Sequence, residues 1–199
     1  SSAASDVYKR QDVGNIISSK TLKGSETEKN LYKTFAGESR AVVKYMLYAE
    51  QAKSECYMWL GEVFDNTALN ELAHARVVVR TFLRIIGTTL DNLKDSLAGE
   101  TNEYENLYKE FQETAEREGF TQIAKFYKEL REVEESHARA FKDFIDKLED
   151  GTMFEGPVES KWYCMNCGYI YEGSEAPAVC PLCGYPRGYF KQYCEITNL

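Results

Sequence analysis

The chain has 199 residues, with 24 Lys and Arg against 32 Asp and Glu, a formal net charge of -8, six Cys and two His. The acidic balance argues against a nucleic-acid or anionic-membrane partner, since both need clustered positive charge, and no apolar run approaches the roughly 18 residues of a membrane span. The length suits one medium-sized domain with a small appendage.

Residues 1–22 are rich in serine, lack an apolar period and do not begin with Met. We interpret them as a disordered or non-native leader, either an adapter or a remnant of a targeting peptide, and leave them out of the fold prediction. The chain opens without the basic and apolar segments of an export signal, so we expect its cysteines in a reducing compartment.

Residues 23–150 contain no proline and are rich in good helix formers, which predicts a helical domain. Ser25 followed by Glu28 predicts a capped helix start, Asp91 is expected to cap the third helix, and Gly119 to follow its end. Four long helices are predicted from breaks near residues 53–55, 87–89, 118–119 and 151.

All four prolines lie from Pro157 onward, where Gly, Cys and Tyr also concentrate. This change of composition predicts a linker at residues 151–160 and a second small domain at residues 161–199.

Two short signatures occur twice in the helical region. Ala-Gly-Glu-Ser at residues 36–39 resembles Ala-Gly-Glu-Thr at 98–101, and Glu-Leu-Ala-His at 71–74 resembles Glu-Glu-Ser-His at 134–137. In the first half, Glu38 precedes Glu71 by 33 residues. In the second half, Glu100 precedes Glu134 by 34 residues. Because a turn is predicted midway, each half should form a hairpin with its two motifs level.

Glu and His three residues apart share one face of a helix, so both can bind one ion. A Glu from each of two helices and a Glu-x-x-His from each of two others is the ligand set of the di-iron carboxylate bundles, and the donors suit iron or manganese. The alternative is an accidental surface pair in a chain rich in glutamate. Glu103, on the same face as Glu100, stands where the first half has Ala41 and is either a seventh ligand or a solvated side chain.

Four cysteines form two Cys-x-x-Cys pairs: Cys164 with Cys167, and Cys180 with Cys183. Four thiolates in a tetrahedron bind Zn or Fe, and the spacing does not choose between an iron site and a structural zinc ribbon. A glycine after each pair should let backbone N–H groups turn towards the sulfurs. Cys56 and Cys194 are expected to be buried thiols.

The combination of these motifs resembles the rubrerythrin family. The resemblance covers about residues 22–199 and rests on AGES at 36–39, ELAH at 71–74, GETNEY at 99–104, EESH at 134–137 and the two cysteine pairs. It implies a mainly α protein, with a ferritin-like four-helix bundle at residues 23–150 and a rubredoxin-like four-cysteine β/loop domain.

The resemblance implies a non-haem di-iron peroxidase that reduces hydrogen peroxide to water in oxidative-stress defence. Electrons would reach it through the four-cysteine site, where the resemblance favours iron over zinc. The implied di-iron ligands are Glu38, Glu71, His74, Glu100, Glu103, Glu134 and His137. Tyr45 and Tyr108 match tyrosines that hydrogen-bond the carboxylates, although either could be a core aromatic. The main alternative is a ferroxidase, iron-handling or oxidase activity of the same bundle; another is a non-enzymatic zinc scaffold.

No Gly-x-Gly-x-x-Gly motif opens a helix, so NAD(P)H is expected to act only through a separate reductase or redox protein. The family implies a homodimer, and the few residues between the second and third helices suggest that helices are exchanged between chains. The expected compartment is the cytoplasm or an anaerobic organelle such as a hydrogenosome.

Overall fold

The computed structural model describes residues 21–193, which form two compact units, residues 21–87 and 88–193. The predicted leader lies almost entirely outside the described residues. In the first unit, α1 (Glu26–Ser54) and α2 (Met58–Val77) form a hairpin, and α2 continues into a π-helical turn, Val78–Phe82. We call residues 26–82 the first hairpin. Among residues 21–193, no helix is both long and apolar enough to cross a membrane.

The second unit contains another helical hairpin and the cysteine-rich segment. Its first arm comprises α3 (Thr89–Asn102), a π-helical turn (Glu103–Leu107) and α4 (Tyr108–Arg117). The second arm is α5 (Thr121–Glu149), and we call residues 89–149 the second hairpin. The predicted mainly helical fold is confirmed, with the third helix divided by a π turn.

The helix ends follow most of the predicted signals. The Ser25 side chain accepts a hydrogen bond from the backbone N–H of Glu28 at 3.1 Å, so α1 begins at the predicted cap. Gly119 has φ +82° just beyond α4, a left-handed conformation that glycine adopts without steric cost.

The predicted cap of the third helix is wrong by three residues. Thr88 is the N-cap of α3: its hydroxyl accepts from the backbone N–H of Asp91 at 3.2 Å, and the Asp91 carboxylate accepts from the Thr88 backbone N–H at 3.0 Å. The backbone N–H groups of Thr88 and Asp91, which lack helical partners, are thereby each bonded to the other residue's side chain. The hydrogen bonds from Thr88 lower the pKa of Asp91, because they stabilise its carboxylate.

Replacing Thr88 by alanine should remove this cap. We expect Thr88→Ala to lower the free energy of unfolding by about 0.5–2 kcal/mol, measured by chemical denaturation with circular dichroism. Thr34→Ala is the matched control, because Thr34 is exposed within α1 and bonds only the Asn30 carbonyl. An equal effect from both substitutions would contradict the capping role.

Small residues allow the two arms of the first hairpin to approach closely. Ala49, Ala52, Ala68 and Ala75 are buried between them. A Cβ atom at Gly61 would lie 2.6 Å from Cγ of Lys53, so the absent side chain leaves room for the lysine stem. The resulting antiparallel pairing brings the 36–39 and 71–74 motifs to the same level.

The second hairpin packs in the same way, with Ala115, Ala124 and Ala138 buried. Each hairpin also has an aromatic triad at corresponding positions. The triads are Tyr45, Tyr48 and Phe64 in the first hairpin and Tyr108, Phe111 and Tyr127 in the second. The internal repeat of the sequence is therefore a repeat of structure.

The C-terminal segment contains a three-stranded antiparallel sheet of order β2–β1–β3, with β1 at Lys161–Cys164, β2 at Ile170–Glu172 and β3 at Phe190–Gln192. We call residues 154–193 the cysteine module. Its core consists of Trp162, Cys164, Ala176, Cys180 and Phe190. The predicted linker contributes to it, since the Ala176 N–H donates to the Phe154 carbonyl and the Gly156 N–H to the Ser174 carbonyl.

Candidate metal centres

The first hairpin brings three of the predicted ligands together. His74 Nδ1 lies 2.8 Å from Oε2 of Glu71 and 3.8 Å from Oε2 of Glu38. One ligand atom from each residue lies within 4.8 Å of the others, a spacing that one metal ion can bridge. We call this trio the first half-site.

The second hairpin repeats the arrangement. His137 Nδ1 lies 2.7 Å from Oε2 of Glu134 and 3.8 Å from Oε2 of Glu100, again within 4.8 Å of one another. This trio is the second half-site. Glu134 is buried, which is rare for a carboxylate without a cationic partner.

The carboxylates of each half-site suit a cation. The hydrogen bond between the two carboxyl groups raises the pKa of Glu38 and lowers that of Glu71. Burial, together with the hydrogen bond to Glu134, raises the pKa of Glu100. Two close carboxylates cannot both ionise without compensating charge, and an iron ion supplies that charge. The residues therefore fit the implied di-iron cofactor.

Glu103 lies near Glu100 but is not one of the three grouped residues of the second half-site. Its carboxylate accepts a hydrogen bond from the Tyr108 hydroxyl; burial, followed by this bond, raises the pKa of Tyr108. In the described structure, the carboxylate that Tyr108 contacts is that of Glu103; its role at a metal centre stays a prediction. Tyr45 occupies the corresponding position in the first hairpin, where its ring lies 6.2 Å from those of Tyr48 and Phe64.

Glu103 is the first residue of the π turn, which accounts for the unequal intervals of the repeat. Glu38 and Glu100 are 62 residues apart, whereas Tyr45 and Tyr108 are 63 apart. A π turn holds one residue more than an α turn, and such turns often lie at functional sites. The extra residue is therefore accommodated within Glu103–Leu107, directly after the Glu100 motif.

Arg131 stabilises the π turn, and no motif in the sequence predicts this role. Its Nε donates to the carbonyl of Tyr104 at 2.9 Å, and Nη1 donates to Oε1 of Gln112 at 3.1 Å. The wider π turn interrupts the regular helical pattern of backbone hydrogen bonds, so a carbonyl within the turn needs a donor from another helix. The 34-residue interval was the only sequence signal for the turn, and nothing in it pointed to Arg131.

We expect Arg131→Met to loosen the π turn, because the part-buried Tyr104 carbonyl would lose its donor at a cost of about 1–3 kcal/mol. Hydrogen exchange should accelerate at residues 103–107. Arg139→Met is the control, since Arg139 is exposed and its guanidinium forms a 3.6 Å ion pair with Glu135 instead of bonding a carbonyl of the π turn. Unchanged exchange in the Arg131 variant would contradict the role.

The four predicted cysteines converge in the cysteine module. Sγ of Cys164 lies 3.8 Å from Sγ of Cys183, and Sγ of Cys167 lies 3.8 Å from Sγ of Cys180. Four sulfurs about 2.3 Å from a central metal form a tetrahedron with edges of nearly this length, whereas a disulfide would need about 2.05 Å. The geometry is that of a four-thiolate metal site.

The electrostatics of the sulfurs also suit a bound cation. The backbone N–H of Tyr185 donates to Cys183 and lowers the pKa of its thiol to about 6. The N–H of Tyr169 likewise favours the Cys167 thiolate, but burial and the neighbouring sulfurs raise the pKa of Cys167 to about 12. Four thiolates can coexist only around a metal. Cys56, expected to be buried, is exposed in the turn after α1 at φ +65°, and Cys194 lies outside the described residues.

Gly168 follows the first cysteine pair at φ +79° and lets the next N–H face Cys167. We expect Gly168→Ala to destabilise the module by roughly 1–2 kcal/mol, because a Cβ disfavours this conformation. Gly188→Ala is the control, since Gly188 has open space and no positive φ. The measurement is thermal loss of visible absorbance from the iron-loaded module; equal midpoints for the two variants would contradict the prediction.

Fold and sites together define a helical non-haem iron protein with an attached thiolate–iron module. The family model described as Rubrerythrin matches residues 29–90 and 91–166, and that described as Rubrerythrin, rubredoxin-like domain matches residues 162–191. The chain belongs to the rubrerythrin family, and its cofactors are those of the family: a di-iron centre and a rubredoxin-like iron.

Individual relatives agree with this assignment. The chain is 40% identical to a rubrerythrin of Porphyromonas gingivalis over 86% of this chain and 92% of the relative. It is 37% identical to a rubrerythrin of Nitratidesulfovibrio vulgaris over 86% of this chain and 96% of the relative. A solved structure of partially reduced nigerythrin is 27% identical, covering 89% of this chain and 91% of that one, with a TM-score of 0.33.

Proposed function

We propose that the protein is a peroxidase that reduces hydrogen peroxide to water at the helical iron centre. Electrons would enter through the iron of the cysteine module and come from a separate redox protein. The observation that carries the proposal is the presence, in one chain, of two matched Glu/Glu/His half-sites and a tetrahedral four-sulfur cluster.

The cysteine module favours a redox enzyme over an iron store. Storage requires carboxylate ligands but no dedicated route for electrons, whereas peroxide reduction consumes two electrons and two protons per molecule. When bound, the iron pair supplies this two-electron chemistry and the thiolate-held iron returns electrons singly. The N–H donors of Tyr169 and Tyr185 stabilise negative charge on the sulfurs.

The side chains of the half-sites have separate roles in this proposal. Glu38, Glu71, Glu100 and Glu134 would balance the iron charge, and His74 and His137 would complete the coordination through Nδ1. The Glu103 carboxylate lies near Glu100 and accepts a hydrogen bond from the Tyr108 hydroxyl. We propose that it is a further ligand of the iron held by the second half-site. Because the first hairpin has Ala41 at that position, the two metal positions would differ in their carboxylates.

The test is the reactivity of the fully reduced holoprotein. Stopped-flow oxidation by hydrogen peroxide should be rapid and stoichiometric, and oxidation by air-saturated buffer much slower. The reverse order would overturn the proposal in favour of an oxidase or ferroxidase. Metal analysis and the visible spectrum separate these from a zinc scaffold, because ferric iron in four thiolates is red and zinc is colourless.

The proposal includes its setting. The expected partners are hydrogen peroxide, a reductase or rubredoxin-like donor, and a second copy of the chain in a homodimer. Four thiolates around iron require a reducing compartment, for which we propose the cytoplasm, with an anaerobic organelle as the alternative. The role would be defence against oxidative stress.

A further inference from the structure

We propose that each di-iron centre is built from two chains, with the first half-site of one chain facing the second half-site of its partner. The inference deepens the proposed function and rests on it only in taking both half-sites to serve one centre. It follows from the length of the connection between α2 and α3.

The required length of that connection follows from the helix bounds. In a ferritin-like bundle the second and third helices run parallel, so the chain must return along the bundle between them. Glu71 lies eleven residues before Phe82, where the helical turn ends, and Glu100 lies eleven residues after Thr89. With both glutamates at the level of the metals, the connection would have to span roughly 33 Å at ~1.5 Å per residue.

The actual connection is much shorter. The N–H groups of Leu83 and Ile85 donate to the carbonyls of Val78 and Val79 at 2.9 and 3.2 Å, so the chain stays bound to the end of α2 as far as Ile85. Thr88 already caps α3. Four Cα steps from Ile85 to Thr89 reach at most roughly 14 Å, and even seven extended steps from Phe82 would reach only about 25 Å. One chain cannot join its own half-sites in this fold.

The surfaces of the hairpins agree with a missing partner. The side chain of His74 is 61% exposed and that of His137 is 52% exposed, although a dry redox centre needs its ligands covered. Large apolar side chains are also exposed on both hairpins: Met46, Leu69, Phe126 and Val133. Apolar side chains exposed on both hairpins, together with exposed metal ligands, favour an interface, and a second copy supplies the complementary half-site as well as the cover.

Complementation between two inactive variants tests the inference. One variant carries Glu71→Ala and His74→Ala, and the other carries Glu134→Ala and His137→Ala. If the hairpins pair between chains, a mixed dimer has one centre with both defects and one intact centre. Co-expressed variants should then recover about a quarter of the wild-type helical-site iron, since random pairing gives half mixed dimers. If each chain closes its own centre, no iron is recovered, and the inference is overturned.

The readout keeps this test separate from the proposed activity. Helical-site iron is measured by metal analysis after subtracting the four-thiolate iron, whose red absorbance also reports that each variant is folded. Recovered iron without peroxide reactivity would support the shared centre and contradict only the peroxidase. If the wild type reacts with peroxide but the co-expressed variants recover no helical-site iron, the peroxidase is supported and the shared centre is contradicted.

A longer connection provides a second test. Inserting about 12 Gly and Ser residues between Gly87 and Thr88 would let one chain span its own bundle, since roughly ten extended residues cover 33 Å. The insertion should leave wild-type iron content intact but strongly reduce complementation when it is added to both variants. The same insertion after Glu55, between α1 and α2, is the control and should leave complementation unchanged. Equal complementation with the two insertions would contradict the role of connection length.

Discussion

A Glu134→Gln variant should keep its fold and lose the iron of the helical centre. Glu134 is the buried carboxylate of the second half-site and lies 2.7 Å from His137. Glutamine has almost the same volume but removes the negative charge that would balance the metal. Loss of a residue that only hydrogen-bonds a metal ligand already costs about 10–100-fold in metal affinity or activity. Because Glu134 would be a ligand itself, we expect peroxide turnover to fall by at least about 100-fold.

Metal analysis and steady-state peroxide reduction measure this effect. Glu135→Gln is the matched control: Glu135 is the next residue, its side chain is half exposed, and its ion-pair partner is Arg139 instead of a residue of the half-site. It should retain both iron and turnover. Full helical-site iron and unchanged turnover in Glu134→Gln would show that Glu134 is not a ligand.

A Cys180→Ser variant should separate electron entry from peroxide chemistry. Cys180 is buried in the module core, and its Sγ is one corner of the sulfur tetrahedron. Metal-site formation in such small modules contributes a large part of the folding free energy, about 10–16 kcal/mol in zinc-finger peptides. We expect loss of the red absorbance and a loosened module, while the helical hairpins keep their circular dichroism.

Two kinetic measurements give the expected contrast. Turnover driven by a protein donor should fall to background, because the entry site is gone. A single oxidation of chemically pre-reduced protein by peroxide should persist. Cys56→Ser is the control, since Cys56 is exposed and lies outside the cluster; it should behave as wild type. Normal donor-driven turnover in Cys180→Ser would mean that electrons reach the helical centre by another route.

Much of the fold could be predicted because its signals are local. The absence of proline predicts a helical stretch, and the capping serine and Gly119 each set one helix end through a few neighbouring residues. The third helix start was misassigned because Thr88 and Asp91 can both cap, and only the geometry shows that they act together. Burial of Cys56 was also expected wrongly: it depends on how α1 and α2 meet, which composition does not reveal.

The metal-ligating residues of the candidate sites could be predicted from the sequence, but the backbone that positions them could not. Repeated spacing identified the two trios, since Glu and His three apart must share a helix face. The cysteine spacing likewise identified the sulfur cluster. The π turn and Arg131 were missed, because an interval longer by one residue does not say where the extra residue lies. That location depends on which carbonyl finds an alternative donor, here one 27 residues away.

The π turn also bears on how the chain arose. Corresponding residues of the two hairpins are 62 positions apart before the π turn, as Glu38 and Glu100 are. After the turn they are 63 positions apart, as Tyr45 and Tyr108 are, and this offset persists to His74 and His137. Duplication of one ancestral hairpin, followed by the gain of a single codon within residues 103–107, accounts for both offsets. The two hairpins also differ at the equivalent positions Ala41 and Glu103, so the second half-site alone has a further carboxylate one helical turn beyond its matched glutamate.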